Sequence, residues 1–120
     1  MKIKIDKLDT LWAKCVKLRD KKVCQKCGKY LETHANASHI ISRRNHHTRW
    51  VLDGGVTLCC GCHLSWAHYH PIEFEKWVKA RLGTYRYTKL RELANQTDKV
   101  DKDLAETVLK SELKKLEESK

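Results

Sequence analysis

Apolar residues near the start of the chain keep a helical beat. Leu11, Trp12, Cys15 and Val16, with Arg19, recur three to four positions apart, and Asp9 or Thr10 is available as a cap. This predicts an amphipathic helix over 10–20 with Cys15 on its apolar face, in the core. Beyond it the pattern shortens. Residues 22–42 hold a turn at Gly28 and brief segments such as "ASHIIS" that read as short strands. Asp53-Gly54-Gly55 is a turn signal, followed by the apolar run Val56, Thr57, Leu58. The stretch "HLSWAHYH" can start a helix that Pro71 interrupts. "PIEFEKWVKARLG" then reads as a helix with Pro71 near its first position and Gly83 just past its end, and "YTKLRELAN" as another. Leu104, Val108, Leu109, Leu113 and Leu116 recur among alternating charges from Asp101 to Glu118, which predicts an amphipathic helix for packing or self-association. The organisation expected is a domain over 1–97 and a C-terminal helix over 98–120.

Length changes the picture first. A chain of 120 residues has room for one modest core, and an internal clamp would help it. A hydrophobic share of 41% with 33% charged residues suits a folded, water-exposed domain rather than a disordered one. No apolar run approaches the roughly 20 residues of a membrane span, and the start, MKIKIDKLDT, is charged without an apolar h-region, so a cytoplasmic protein is expected.

Charge changes it next. The net charge of +10 is unevenly spread: from Asp98 onward seven acids meet six bases, leaving 19 bases against eight acids upstream. That basic excess coincides with the cysteines and histidines. An anionic polymer is the partner it points to, because neutralising phosphates releases counterions.

The chemistry is concentrated in "VTLCCGCHLSW" and a matching pair upstream. Cys24-x-x-Cys27 and Cys59-x-x-Cys62 each suit a turn in which two thiolates converge, and two such turns complete a closed tetrahedral zinc site. Without a secretion signal or a thioredoxin-like strand-helix pattern, structural zinc is favoured over a disulfide or a redox pair. The 31 residues between the pairs exceed a zinc-ribbon gap, so the metal holds an inserted element at both ends. Cys60 lies off the ligand spacing and is assigned a buried or inert role. All seven histidines, His34, His39, His46, His47, His63, His68 and His70, fall between or just after the pairs. Imidazole with a pKa of about 6.5 serves as proton acceptor or metal ligand at neutral pH.

His39 precedes Gly54 by 15 residues, and His63 follows Gly54 by nine, directly after the last cysteine of the second pair. On these positions, and on the stretches "LWAKCVKLRDKKVCQKCG", "ASHIISRRNHHTRW" and "GVTLCCGCHLSW", the chain resembles the HNH endonuclease family, in the version that sets the motif between two Cys-x-x-Cys knuckles. "HPIEFEKWVKARLG" and "YTKLRELAN" are similar to the downstream helices of small phage-encoded members. The fold implied is α+β, a zinc-stabilised ββα-metal (His-Me finger) core with flanking N- and C-terminal helices. The resemblance implies that His39 is the general base and that His63 ligates a catalytic divalent ion, magnesium, manganese or nickel, distinct from the zinc. His68 is the nearest second donor; His47, His34 and Asp53 are others. Arg43, Arg44 and Arg49, in the same inserted segment, are candidate phosphate clamps.

Two positions depart from the family pattern. Its middle asparagine falls on Gly54, which keeps the turn and loses the amide, so Gly54→Asn is expected to raise the rate. The residue before the base is Ser38 in place of a metal ligand.

The activity expected is metal-dependent hydrolysis of DNA, double-stranded, by nicking. The partners expected are that DNA and a second copy through the C-terminal helix. One alternative is a non-catalytic zinc module that binds DNA as an adaptor for recombination, repair or packaging. Another is an RNA-binding zinc knuckle with Trp50, Trp66 and Tyr69 as stacking platforms.

Overall fold

A carboxylate just ahead of an apolar-periodic stretch is a helix start, and the chain uses one earlier than expected. In the computed structural model, which describes residues 6–119, α1 runs Lys7–Arg19. The first five residues of the charged start lie outside the described residues. The cap is Asp6, not Asp9 or Thr10: its carboxylate accepts from Leu8 N, while Asp9 reaches back to Asp6 N and closes a capping box. Shifting the start brings Leu8 onto the buried face with Trp12, Cys15 and Val16.

Two strands follow, β1 (Asn36–His39) and β2 (Gly55–Leu58), antiparallel, with Ser38 opposite Val56 and His39 opposite Gly55. All four residues of β2 are buried, and side-chain alternation divides them between two cores. Thr57 faces α1, its hydroxyl 3.4 Å from the Val16 carbonyl. Gly55 lies against the Trp12 ring so closely that a Cβ would fall 2.3 Å from Trp12 Cζ2. Val56 and Leu58 turn the other way, into a second core with Cys24, Leu31 and Ala35 that extends to Cys59, Cys62, Phe74 and Trp77.

The excursion between the strands carries a one-turn helix, α2 (His46–Arg49), which the apolar pattern could not show. Asn45 caps it, accepting from His47 N and Thr48 N. A 3₁₀ turn, Leu52–Gly54, leads into β2. After the second cysteine pair the chain enters a π-helical segment, Cys62–Ala67, then α3 (Pro71–Leu82) with Pro71 at its first turn. Gly83, with φ 84°, ends α3, and α4 (Thr84–Ala94) begins at once. It therefore starts before the expected Tyr87, because one left-handed glycine is the whole linker.

The C-terminal helix α5 (Lys102–Glu118) is part of the first core rather than an appendage. Leu109 is buried with Leu8, Trp12, Cys15, Val16 and Trp50, and the Cys15 thiol donates to the Leu109 carbonyl at 3.5 Å. Fully burying a side chain such as Leu109 contributes roughly 1.5–3 kcal/mol, so 98–120 and 1–97 stabilise each other. Leu104 and Val108 remain exposed. Among the described residues no helix is long and apolar enough to cross a membrane.

Candidate metal centre and adjoining groove

Each cysteine pair sits on a tight backbone turn. The first is at the tip of a hairpin closed by the Val23–Tyr30 bridge, where Cys24 N donates to Lys29 O and Gly28, at φ 82°, turns the chain back with its N–H on Cys24 O. The second leaves β2 and runs into the π-helical segment. Within each turn a backbone N–H points at a sulfur, Cys27 N to Cys24 Sγ at 3.5 Å and Cys62 N to Cys59 Sγ at 3.3 Å. Gln25 N donates to Thr57 O and fixes the first turn to the sheet.

The four sulfurs of Cys24, Cys27, Cys59 and Cys62 lie within 4.8 Å of one another. Cys27 Sγ and Cys59 Sγ are 3.9 Å apart, close to the S–S edge of about 3.8 Å that tetrahedral Zn–S bonds of about 2.3 Å require. Their electrostatics ask for a cation. Burial pushes the Cys24 thiol up, but N–H donors from Cys27, Cys59 and Lys26 outweigh it and bring it down to about 6. Burial pushes Cys62 strongly upward, as do the thiols of Cys59 and Cys24 and then the charge on Cys24. Charge on Cys24 thus works against ionising Cys27 and Cys62, a repulsion that a central divalent ion relieves. The tetrad could therefore hold a structural zinc ion. Cys15 is buried, and burial raises its pKa. Cys60, assigned a buried or inert role, is exposed, because the turn that brings Cys59 and Cys62 to the cluster leaves Cys60 pointing outward.

An open groove of about 1420 Å³ runs beside this centre, bordered by Ser38, His39, Arg43, His63 and His68. It exceeds the roughly 300–1,000 Å³ of clefts that enclose drug-sized ligands and so suits a longer substrate. His39 is the most constrained of these side chains. Its ring stacks on Trp12, centroids 4.0 Å apart and planes 12° from parallel, and Trp12 is pinned by a 2.9 Å bond from Nε1 to Val51 O. Its Nε2 lies 3.1 Å from the Arg49 carbonyl. A carbonyl only accepts, so Nε2 carries the proton and Nδ1 keeps the lone pair. Burial lowers the His39 pKa, against the Arg49 carbonyl and Asp9, with help from Arg43 and Arg49. The imidazole is therefore neutral at pH 7.

Ser38, next in sequence, turns to the opposite face of β1 and still borders the groove. It is 4% exposed, and its hydroxyl oxygen has no hydrogen-bond partner within the protein. Leaving such a group unmatched costs about 1–3 kcal/mol.

Other expected site residues lie elsewhere. Arg49 is buried and forms a two-pronged pair with Asp9 (2.8 and 2.6 Å), which also accepts from Trp50 Nε1 at 2.9 Å. It is a structural tie between α1 and α2, its guanidinium engaged by Asp9 and outside the groove lining, while its backbone carbonyl meets His39. Arg43 and Arg44 are exposed, and Arg43 alone of the three borders the groove. His47 bonds the Asp98 carbonyl at 2.6 Å, and Asp53 pairs with Arg86. Both border a different cavity, an apolar one of about 630 Å³ between α2 and α5, which removes them as donors to the groove. His34 is exposed and outside the groove. Among the described residues the cysteine tetrad is the one cluster of three or more histidine, cysteine or acidic donors able to share an ion. His63 and His68 therefore offer at most a partial ligand set.

Gly54 has a different role from that of a depleted asparagine position. It is buried, and a Cβ there would fall 2.7 Å from the Thr48 carbonyl oxygen. The backbones of α2 and the turn before β2 touch at this point, and no amide fits. The His39 ring is held instead by the Arg49 carbonyl, one residue on from Thr48. An asparagine at position 54 would have to displace the Thr48 backbone, which sets a steric cost against the rate gain expected of Gly54→Asn.

The stacking platforms expected of an RNA binder are not assembled. Trp50 is 6% exposed in the core, and Trp66 packs edge-on against Phe74 and Trp77, leaving Tyr69 alone exposed of the three. Comparison with protein-family models, curated proteins and solved structures finds no match to this chain.

Proposed function

We propose that the protein is a metal-dependent endonuclease of the HNH type that hydrolyses DNA phosphodiester bonds, one centre per chain cutting one strand at a time. The observation that carries this reading is His39: a neutral imidazole, held by ring stacking and by its Nε2–H on a backbone carbonyl, bordering an open groove that also receives Arg43, His63 and His68. A side chain fixed in one tautomer with its second nitrogen free is prepared to accept a proton. The +10 charge supplies attraction to a polyanion.

In this reading His39 Nδ1 takes the proton of the attacking water. Arg43 holds a phosphate oxygen beside the scissile bond. His63, with His68 beside it in the groove, would hold a divalent ion such as magnesium, manganese or nickel. Such an ion supplies Lewis-acid stabilisation of charge on the phosphate and the departing 3′ oxygen. The cysteine tetrad, loaded with zinc, fixes both ends of the segment that carries His39 and Arg43.

The test is nicking of supercoiled plasmid by zinc-loaded protein with magnesium, manganese or nickel, beside His39→Ala. Metal-dependent nicking, lost in a His39→Ala protein that keeps its fold and DNA affinity, is the expected result. The incomplete donor set in the groove favours a second reading, a DNA-binding adaptor without catalysis. Zinc-loaded protein that shifts DNA and nicks with no ion would select it.

A further inference from the structure

Cations on this chain divide into those already neutralised and those that are not. Arg19, Arg49, Arg81 and Arg86 are each engaged by a carboxylate. On the α1 side of the groove, Lys14 meets Glu117 at 4.0 Å, whereas Lys17 and Lys22 enter no ion pair among the described residues. Lys17 lies one turn beyond Lys14 on the same helix face, and Lys22 sits in the turn after α1. Lys17 and Lys22 thus join Arg43 as groove-lining cations outside any ion pair among the described residues.

Lys22 is placed there at a cost. Lys21 and Lys22 have φ of 56° and 58°, left-handed backbone that glycine adopts freely and a Cβ-bearing residue resists. The turn is held by Lys22 N on Lys17 O at 2.9 Å and by Leu31 N on Lys22 O at 2.8 Å. Lys21 is strained alike but absent from the groove lining, so the strain belongs to the turn, and Lys21 is an internal control for the side chain of Lys22.

We propose that Lys17 and Lys22 form a second phosphate-binding wall along α1, which holds the DNA backbone flanking the phosphate presented to His39 and Arg43. This deepens the nuclease reading and rests on it. The ammonium groups neutralise successive phosphates, position the duplex and release counterions. Glu117 and Glu32, also bordering the groove, limit how far that track extends.

The experiment measures binding of a fluorescent 30-bp duplex to zinc-loaded, full-length protein across a salt series, without added magnesium, manganese or nickel. Melting temperatures are taken alongside. Lys22→Gly is expected to melt higher, because the strain is relieved, and to lose about 0.9 from the slope of log affinity against log salt. Lys21→Gly is expected to melt higher with its slope unchanged. Lys17→Ala, on a regular helix that tolerates alanine, should lose a similar slope increment whatever Lys22→Gly does to folding. Unchanged slopes in both Lys17→Ala and Lys22→Gly overturn the wall while leaving the nuclease reading standing. Failure of the parent protein to bind duplex at any salt overturns the nuclease reading itself.

Discussion

Adding one methyl group at position 54 tests the geometry that holds the proposed base. In Gly54→Ala the new Cβ would lie 2.7 Å from the Thr48 carbonyl oxygen, with Leu90 Cδ1 at 3.8 Å on another side. The near neighbour is backbone, so the conflict cannot be relieved by turning a side chain. Overpacking of this kind costs about 1–3 kcal/mol, which for a domain near this size lowers the melting temperature by roughly 4–12 °C. The peptide pushed aside directly precedes Arg49, whose carbonyl fixes the tautomer of His39. Losing a hydrogen bond worth about 0.5–1.5 kcal/mol slows proton abstraction roughly 2- to 10-fold. Thermal denaturation followed by circular dichroism, and plasmid nicking at saturating metal, read the two effects separately. Gly54→Asn should be worse on both counts. A Gly54→Ala protein melting within about 1 °C of the parent, or a Gly54→Asn protein that nicks faster, refutes the backbone-contact account.

Three further outcomes are expected. Because the His39 pKa lies below its ordinary 6.5, the neutral base is retained as pH falls to that value. The acid limb of nicking should then have its midpoint under pH 6.5, and Arg43→Gln, which removes a nearby positive charge, should move it upward; a midpoint above 7 would contradict the burial argument. Zinc analysis should find one ion per chain, lost with cooperative folding in Cys59→Ser and retained in Cys60→Ser, since metal binding and folding are coupled and Cys60 points to solvent. Arg49→Ala leaves the largely buried Asp9 without its main partner and should cost about 3–5 kcal/mol. It should not alter the salt slope of DNA binding in whatever fraction remains folded, and a slope lowered as by loss of a surface cation would mean Arg49 reaches the phosphates.

Local signals carried much of this protein. The cysteine pairs announced a tetrahedral cluster because two residues between ligands is the spacing of a tight turn, whatever surrounds it. The helices that became α1, α3 and α5 were visible because each buries one face, and that face imposes a period of 3.6 on the sequence. Pro71 and Gly83 marked the ends of α3 through their own restricted or permissive backbone. Cys15 was placed in the core on its position in the α1 stripe alone. The helix α2 escaped because one capped turn of polar residues has no period to detect.

What depended on residues far apart in sequence was decided by tertiary structure. Arg49 looked like a phosphate clamp until Asp9, forty positions earlier, claimed it. Gly54 looked like a lost amide until the Thr48 carbonyl was found against it. The acceptor that fixes the tautomer of His39 is a backbone atom, which leaves no residue type to read, and His47 and Asp53 were dismissed by partners on the loop after α4 and on α4 itself. Spacing along a chain specifies turns and faces, which are local. Which charges meet, which backbones touch and which hydroxyl is left unmatched depend on packing between elements, and only the folded chain brings those together.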